Sequence, residues 1–170
     1  MLEVRKTTIE DLEKIMPIVE EARAYFKAHG IDQWQNGYPN YEGFLEDIKN
    51  NGSYVLVEDK DVVGFCYIGL HDDPNYSLIE EGDWLNEEAY GVIHRIAIKN
   101  AKKGNNYASL LLQYAEKLAK EKGISNLRID THEKNTSMQA LVKKNGYVYC
   151  GRVYMEDHSP RIAFQKILED

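Results

Sequence analysis

One stretch limits what this chain can fold into more than any other. An apolar run, Val92-Ile93-His94-Arg95-Ile96-Ala97-Ile98, is followed by a short basic and polar connection from Lys99 to Asn106. A helical pattern then starts at Tyr107, apolar at Leu111, Leu112, Ala115, Leu118 and Ala119. The β-branched run predicts a buried central strand. The unpaired amides and the positive dipole end of the following helix, next to Lys102 and Lys103, predict a place that holds an anion. The same residues also suit an ordinary strand-to-helix connection with solvated lysines. The loop has one glycine, and it lacks the lysine-serine ending of a Walker loop and the spaced glycines of a dinucleotide fold.

At 170 residues and 43% hydrophobic, the chain is long enough for one domain with a proper core, residues 1–170. A net charge of −7 argues against a nucleic-acid surface, which needs a basic face. Cys66 and Cys150 lie in apolar, strand-like contexts without metal or redox spacing, and read as reduced core thiols of a cytoplasmic protein. No signal peptide and no membrane span is expected from the pattern.

In chain order, a strand is expected at Leu2 to Lys6, then a helix after a capping-box-like Thr8 and Asp11, apolar at Leu12, Ile15, Ile18, Val19, Ala22, Tyr25 and Phe26. Pro17 bends or splits it, and His29-Gly30 ends it. The loop Ile31 to Pro39 is too polar for core and too aromatic for a spacer. Trp34 and Tyr38 therefore either line a pocket mouth or cap the core. Asn40 caps a short helix that ends at Asn51-Gly52. Tyr54 to Glu58 and Val62 to Leu70 form a hairpin across Asp59-Lys60-Asp61. The acidic segment 71–89 is longer than a turn requires, a candidate lid or partner surface, or else a solvated insertion ordered by Trp84. A strand from Asn126 to His132, a helix from Asn135 to Lys144 and a hairpin of Tyr147 to Met155 with Arg161 to Leu168 complete an α+β layout.

This order of elements, with the run Ile93 to Leu112 and the later Asn135 to Tyr147, resembles the GNAT acetyltransferase superfamily over almost the whole chain. The resemblance implies a mixed, mostly antiparallel central sheet flanked by helices on both faces. It also implies an acetyl-CoA pyrophosphate held by a loop of pattern Gln/Arg-x-x-Gly-x-Gly/Ala. That pattern falls on Lys103, Gly104, Asn105, Asn106, Tyr107 and Ala108, with Lys103 in place of Gln or Arg and Asn106 in place of the first motif glycine. Such a loop works through backbone N–H groups, and Asn tolerates unusual backbone angles better than most residues. Asn135 corresponds to a cofactor-contacting asparagine, and Leu141-Val142-Lys143-Lys144-Asn145-Gly146-Tyr147 follows the family's Leu-Tyr-x-Lys-x-Gly-Phe.

The expected chemistry is direct acetyl transfer to a primary amine in a ternary complex. Backbone groups of Ile96, Ala97 and Ile98 are implied to pair with the pantetheine arm and to polarise the thioester carbonyl. The amine must lose a proton to attack. His94 is the first candidate base, since strand alternation would place it on the face of Ile96; a core histidine is the plainer alternative. His132 is the rival base, with Asp130 on its face to orient it. The tyrosine that commonly protonates the departing sulfur falls on Val142, which has no proton to give, so either another hydroxyl such as Tyr149 or Tyr107 takes that part or the thiolate departs with water or backbone donors alone.

Trp34, Tyr38 and the acidic segment suit a compact, cationic small-molecule amine as acceptor. A protein or peptide acetyltransferase and a non-catalytic acyl-CoA-binding module are the alternatives. Expected partners are therefore acetyl-CoA and an amine, with no metal, no nucleic acid and no membrane; a homodimer is left open.

Overall fold

The computed structural model describes residues 1–169. Among them are strands β1 (Leu2–Lys6), β2 (Ser53–Glu58), β3 (Asp61–Gly69), β4 (Gly91–Ile98), β5 (Asn126–Thr131), β6 (Val148–Tyr154) and β7 (Pro160–Ile167). The α-helices are α1 (Leu12–Ala28), α2 (Tyr41–Lys49), α3 (Tyr107–Glu121) and α4 (Thr136–Lys144). The hydrogen-bonded order is β1-β2-β3-β4-β5-β7-β6. The β4–β5 pair is parallel, and β1–β2, β2–β3, β5–β7 and β6–β7 are antiparallel. This is the mixed, mostly antiparallel α+β sheet expected from the sequence. Among the described residues no helix is long and apolar enough to cross a membrane.

Two compact units make up the chain. One comprises Met1–Ile68 with Arg95–Tyr114, the other Gly69–His94 with the residues from Ala115 onward.

In the first unit, α1 runs unbroken through Pro17, so the proline does not split it. A short 3-10 turn at Ile9–Asp11 precedes it. There the Asp11 carboxylate accepts from the Thr8 amide at 2.7 Å and from the Arg5 guanidinium at 2.7 and 3.0 Å. Burial alone would raise the Asp11 pKa, but these hydrogen bonds hold it below the ordinary aspartate value. Leu12, Ile15, Val19, Phe44, Val55 and Phe65 belong to one buried cluster, with Trp34 and Ala97 packed against it. Asn40 caps α2 by accepting from the Gly43 amide at 2.8 Å. Asp59 and Lys60, at φ 48° and 74°, form the tight β2–β3 turn.

In the second unit, the acidic segment is fastened at several points. Glu80 and Arg152 exchange backbone hydrogen bonds of 2.8 and 2.7 Å. The Leu85 amide donates to Gln165 Oε1 at 3.0 Å, and Asn86 Nδ2 donates to Asn126 Oδ1 at 2.9 Å. Gly82 lies so close to the Cys150 carbonyl that a β-carbon there would meet its oxygen at 1.9 Å. Trp84 donates to the Tyr76 carbonyl at 2.9 Å, and its ring lies 4.2 Å from the Arg128 guanidinium, which is itself 4.0 Å from the Tyr90 ring. The insertion is therefore ordered, with Trp84 as one of its anchors. Cys150 here and Cys66 in the first unit are free and buried.

Tyr147 follows the α4 stop, where Gly146 takes φ 90°. Its ring is 4% exposed and its hydroxyl has no hydrogen-bond partner among the described residues. A buried polar group without a partner carries a desolvation penalty. Tyr147→Phe, which restores the residue of the resembled pattern, should therefore leave stability unchanged or raise it by about 1 kcal/mol. Urea denaturation checks this: a clear loss of stability would reveal a partner for the hydroxyl.

Candidate active site

The predicted site residues fall in both units. In the first, the connection from β4 to α3 has the form an anion cradle needs. Lys99–Lys103 begin it with a 3-10 turn at Asn100–Lys102, Gly104 takes φ 88° and Asn106 takes φ 67°, and α3 starts at Tyr107. Asn106 adopts the left-handed backbone for which it was expected to substitute for glycine. At Gly104 a β-carbon would meet nothing within 4 Å. Left-handed residues leading into a helix start turn successive N–H groups toward one concavity, so these residues fit a pyrophosphate. The lysines, by contrast, have neighbours of their own. Lys102 Nζ is 2.6 Å from Glu58 Oε1, and Lys103 Nζ lies 4.5 Å from the Tyr25 ring centroid. The Tyr107 hydroxyl also donates to Glu58, which raises its pKa and occupies it as a proton donor.

β4 is fully buried over Gly91–Ile93 and only partly buried from His94 to Ile98, so Ile96, Ala97 and Ile98 are not the wholly buried strand expected. Arg95 takes φ 51°, a left-handed angle in mid-strand. The strict alternation that would put His94 and Ile96 on one face is therefore interrupted. Arg95 is held by hydrogen bonds of 2.9 to 3.1 Å to the Asp47 carboxylate, with its guanidinium 4.8 Å from the Tyr67 ring centroid and 5.8 Å from that of Tyr38. Trp34 packs edge-on against Phe26 and stacks near Phe65, the core-capping alternative, whereas Tyr38 is 43% exposed. Their loop is tied to α1 by Arg23, which donates to the carbonyls of Trp34 and Pro39.

In the second unit, His94 Nε2 lies 2.8 Å from Asp73 Oδ2. Burial would push the Asp73 carboxyl up, but hydrogen bonds from the His94 ring and the Asn75 amide hold it below the ordinary aspartate range. Asp130, expected to orient His132, accepts from the buried Tyr76 hydroxyl at 2.5 Å. Burial and that neighbouring carboxylate raise the Tyr76 pKa well above its ordinary value. His132 Nδ1 accepts from the Lys134 amide at 3.0 Å. Asn135 Oδ1 caps α4 by accepting from Met138 N at 3.1 Å. Val142 is a core residue at 1% exposure, and Tyr149 on β6 is 48% exposed. Sequence reasoning missed Asp73 and Tyr76. The Asp73-Pro74 step signals a turn, but no spacing links it to a histidine 21 residues on.

The model of the acetyltransferase (GNAT) family matches residues 15–147. A GNAT-family acetyltransferase of Streptococcus agalactiae 2603 is 36% identical with a TM-score of 0.90, covering 99% of this chain and 96% of its own. The PaiA N-acetyltransferase of Thermoplasma acidophilum, solved with coenzyme A, shares the fold at 22% identity and a TM-score of 0.74, covering 98% and 99%. A ribosomal-protein-alanine N-acetyltransferase of Brucella melitensis shares it at 18% and 0.69, also covering 98% and 99%. No curated protein sequence matches. With a family model running over most of its length and a close structural relative along nearly all of it, the chain belongs to the GNAT acetyltransferase family and is an N-acetyltransferase.

Proposed function

We propose that the protein transfers the acetyl group of acetyl-CoA to a primary amine of a small molecule, directly and within a ternary complex. The observation that carries this reading is the backbone of the Lys103–Ala108 loop, left-handed at Gly104 and Asn106 and opening onto α3. Acetyl-CoA supplies the activated acyl group. The amides from Gly104 to Ala108 bind its pyrophosphate, and the backbone of Ile96, Ala97 and Ile98 binds the pantetheine arm and stabilises charge on the thioester oxygen. His94 accepts the amine proton, directly or through water. As the C–N bond forms the C–S bond breaks, and the thiolate takes a proton from Tyr149 or water, because Val142 has none and the Tyr107 hydroxyl is engaged by Glu58. Asn135 contributes from the start of α4.

For the acceptor, the support is local. The aromatic loop is fixed to α1 by Arg23 and leaves the Tyr38 ring accessible, which suits a compact amine. Residues 1–170 are read as one acetyltransferase domain, since the family match runs through parts of both units. The buried free thiols suit the cytoplasm.

Acetyl-CoA turnover against free polyamines, amino acids and aminoglycosides, beside peptides with free N-termini or lysines, tests the reading. Thiol release with at least one free amine and none with peptides is expected. Peptides alone as acceptors would move the protein to the class of the Brucella relative, and CoA binding without transfer to anything would make it a binding module.

A further inference from the structure

We propose that Asp73 is the positioning residue of His94, fixing the neutral imidazole as the Nε2–H tautomer so that Nδ1 is the nitrogen that takes the proton. This rests on His94 being the base and adds a function for the acidic segment, of which Asp73 is part.

The geometry is that of an orienting pair. An ionised carboxylate only accepts hydrogen bonds, so at 2.8 Å from Asp73 Oδ2 the His94 Nε2 carries the hydrogen. In a neutral ring the lone pair is then on Nδ1. Asp73 cannot easily swing away. Its Oδ1 accepts from the Asn75 amide at 2.8 Å, and its own amide donates to the Tyr90 hydroxyl at 2.9 Å. Each carboxylate oxygen thus has a separate task.

The residues after Asp73 are equally fixed. Pro74–Tyr76 form a 3-10 turn capped by the Asp73 carboxylate. Tyr76, 1% exposed, is anchored through its hydroxyl to Asp130, and its ring centroid lies 6.1 Å from that of His94 and 5.3 Å from that of Trp84. The side chains of His94 and Asp73 are 23% and 12% exposed. So sheltered a pair is screened less by solvent than a surface one.

A purely structural Asp73 would only anchor the insertion, and kinetics can separate the two roles. Asp73→Ala should lower kcat by about tenfold to a hundredfold, by analogy with the scale seen for carboxylates that orient metal-bound histidines. The KM for acetyl-CoA should stay unchanged. Asp73→Asn, which keeps an oxygen able to accept from Nε2, should restore part of the rate. In a His94→Gln background Asp73→Ala should cost nothing further, because its effect passes through the imidazole. Nitrogen-15 spectra of neutral His94 should show the proton on Nε2.

A proton found on Nδ1 would overturn the proposal, as would a full Asp73→Ala loss persisting in the His94→Gln background. So would a fall in melting temperature in both Asp73 variants with kcat intact. If His94→Gln alone leaves the rate unchanged, the reading of His94 as base has failed instead.

Discussion

Replacing His94 by glutamine is expected to lower kcat/KM by about 10²–10⁴-fold, the usual effect of removing a general base. Glutamine keeps similar bulk and can still donate to Asp73 Oδ2, so the local fold around that carboxylate has no reason to collapse. What it loses is a ring nitrogen whose lone pair can accept a proton. CoA affinity should hardly change, since the amides assigned to the cofactor lie on other residues. The ascending limb that an imidazole base gives to a pH–rate profile should vanish. His132→Gln is the matched comparison. Loss of the limb in His132→Gln but not in His94→Gln would exchange their roles. An unchanged profile in both would assign the proton to water.

The sequence made the regular elements legible because they depend on local spacing. α3 follows from its leucine and alanine periodicity, α2 from Asn40 and Phe44, and the β2–β3 turn from Asp59-Lys60-Asp61. The backbone of the Lys103–Ala108 loop was legible for a related reason: Asn106 was expected to tolerate a left-handed backbone and takes φ 67°. What escaped is long-range and polar. Tyr107 reaches Glu58 across 49 positions, Tyr76 reaches Asp130 across 54, and Asp73 reaches His94 across 21. An acidic segment has the same composition whether it is solvated or pinned through backbone groups, Asn86, Trp84 and Asp73, so spacing alone could not distinguish the two.

Arg95 illustrates the limit most clearly. Nothing about an arginine in a β-branched run suggests φ 51°, a conformation costly for a residue with a β-carbon. It persists because the side chain is overdetermined by the forked hydrogen bonds to Asp47 and by the Tyr67 and Tyr38 rings. The angle is therefore set by residues far from it in sequence. It also changes which backbone groups the following residues Ile96 to Ile98 present, and so bears on the segment assigned to the pantetheine arm.

Introducing an aspartate at position 108 should have the other large effect, on cofactor binding. Ala108 is the second residue of α3, partly buried, at the helix end where amides and dipole favour an anion. A carboxylate there is favourable for the helix itself, so Ala108→Asp should fold at least as well as the wild type while placing a fixed negative charge beside the position proposed for the pyrophosphate. Unit charges about 4 Å apart at an effective dielectric near 20 repel by about 4 kcal/mol, close to a thousandfold in affinity. The loop's exposure weakens this, and more than about tenfold weaker CoA binding is expected. Lys102 and Lys103 will not offset the loss fully, since they already serve Glu58 and the Tyr25 ring. Ala108→Asn is similar in size but neutral, so the difference between the two variants isolates the charge and should shrink as salt is raised. Lys60→Asp, in the β2–β3 turn, controls for a change in net charge. Calorimetric titration with CoA decides the matter: equal affinities for the Asp and Asn variants, at low and high salt alike, would remove the pyrophosphate from this helix start.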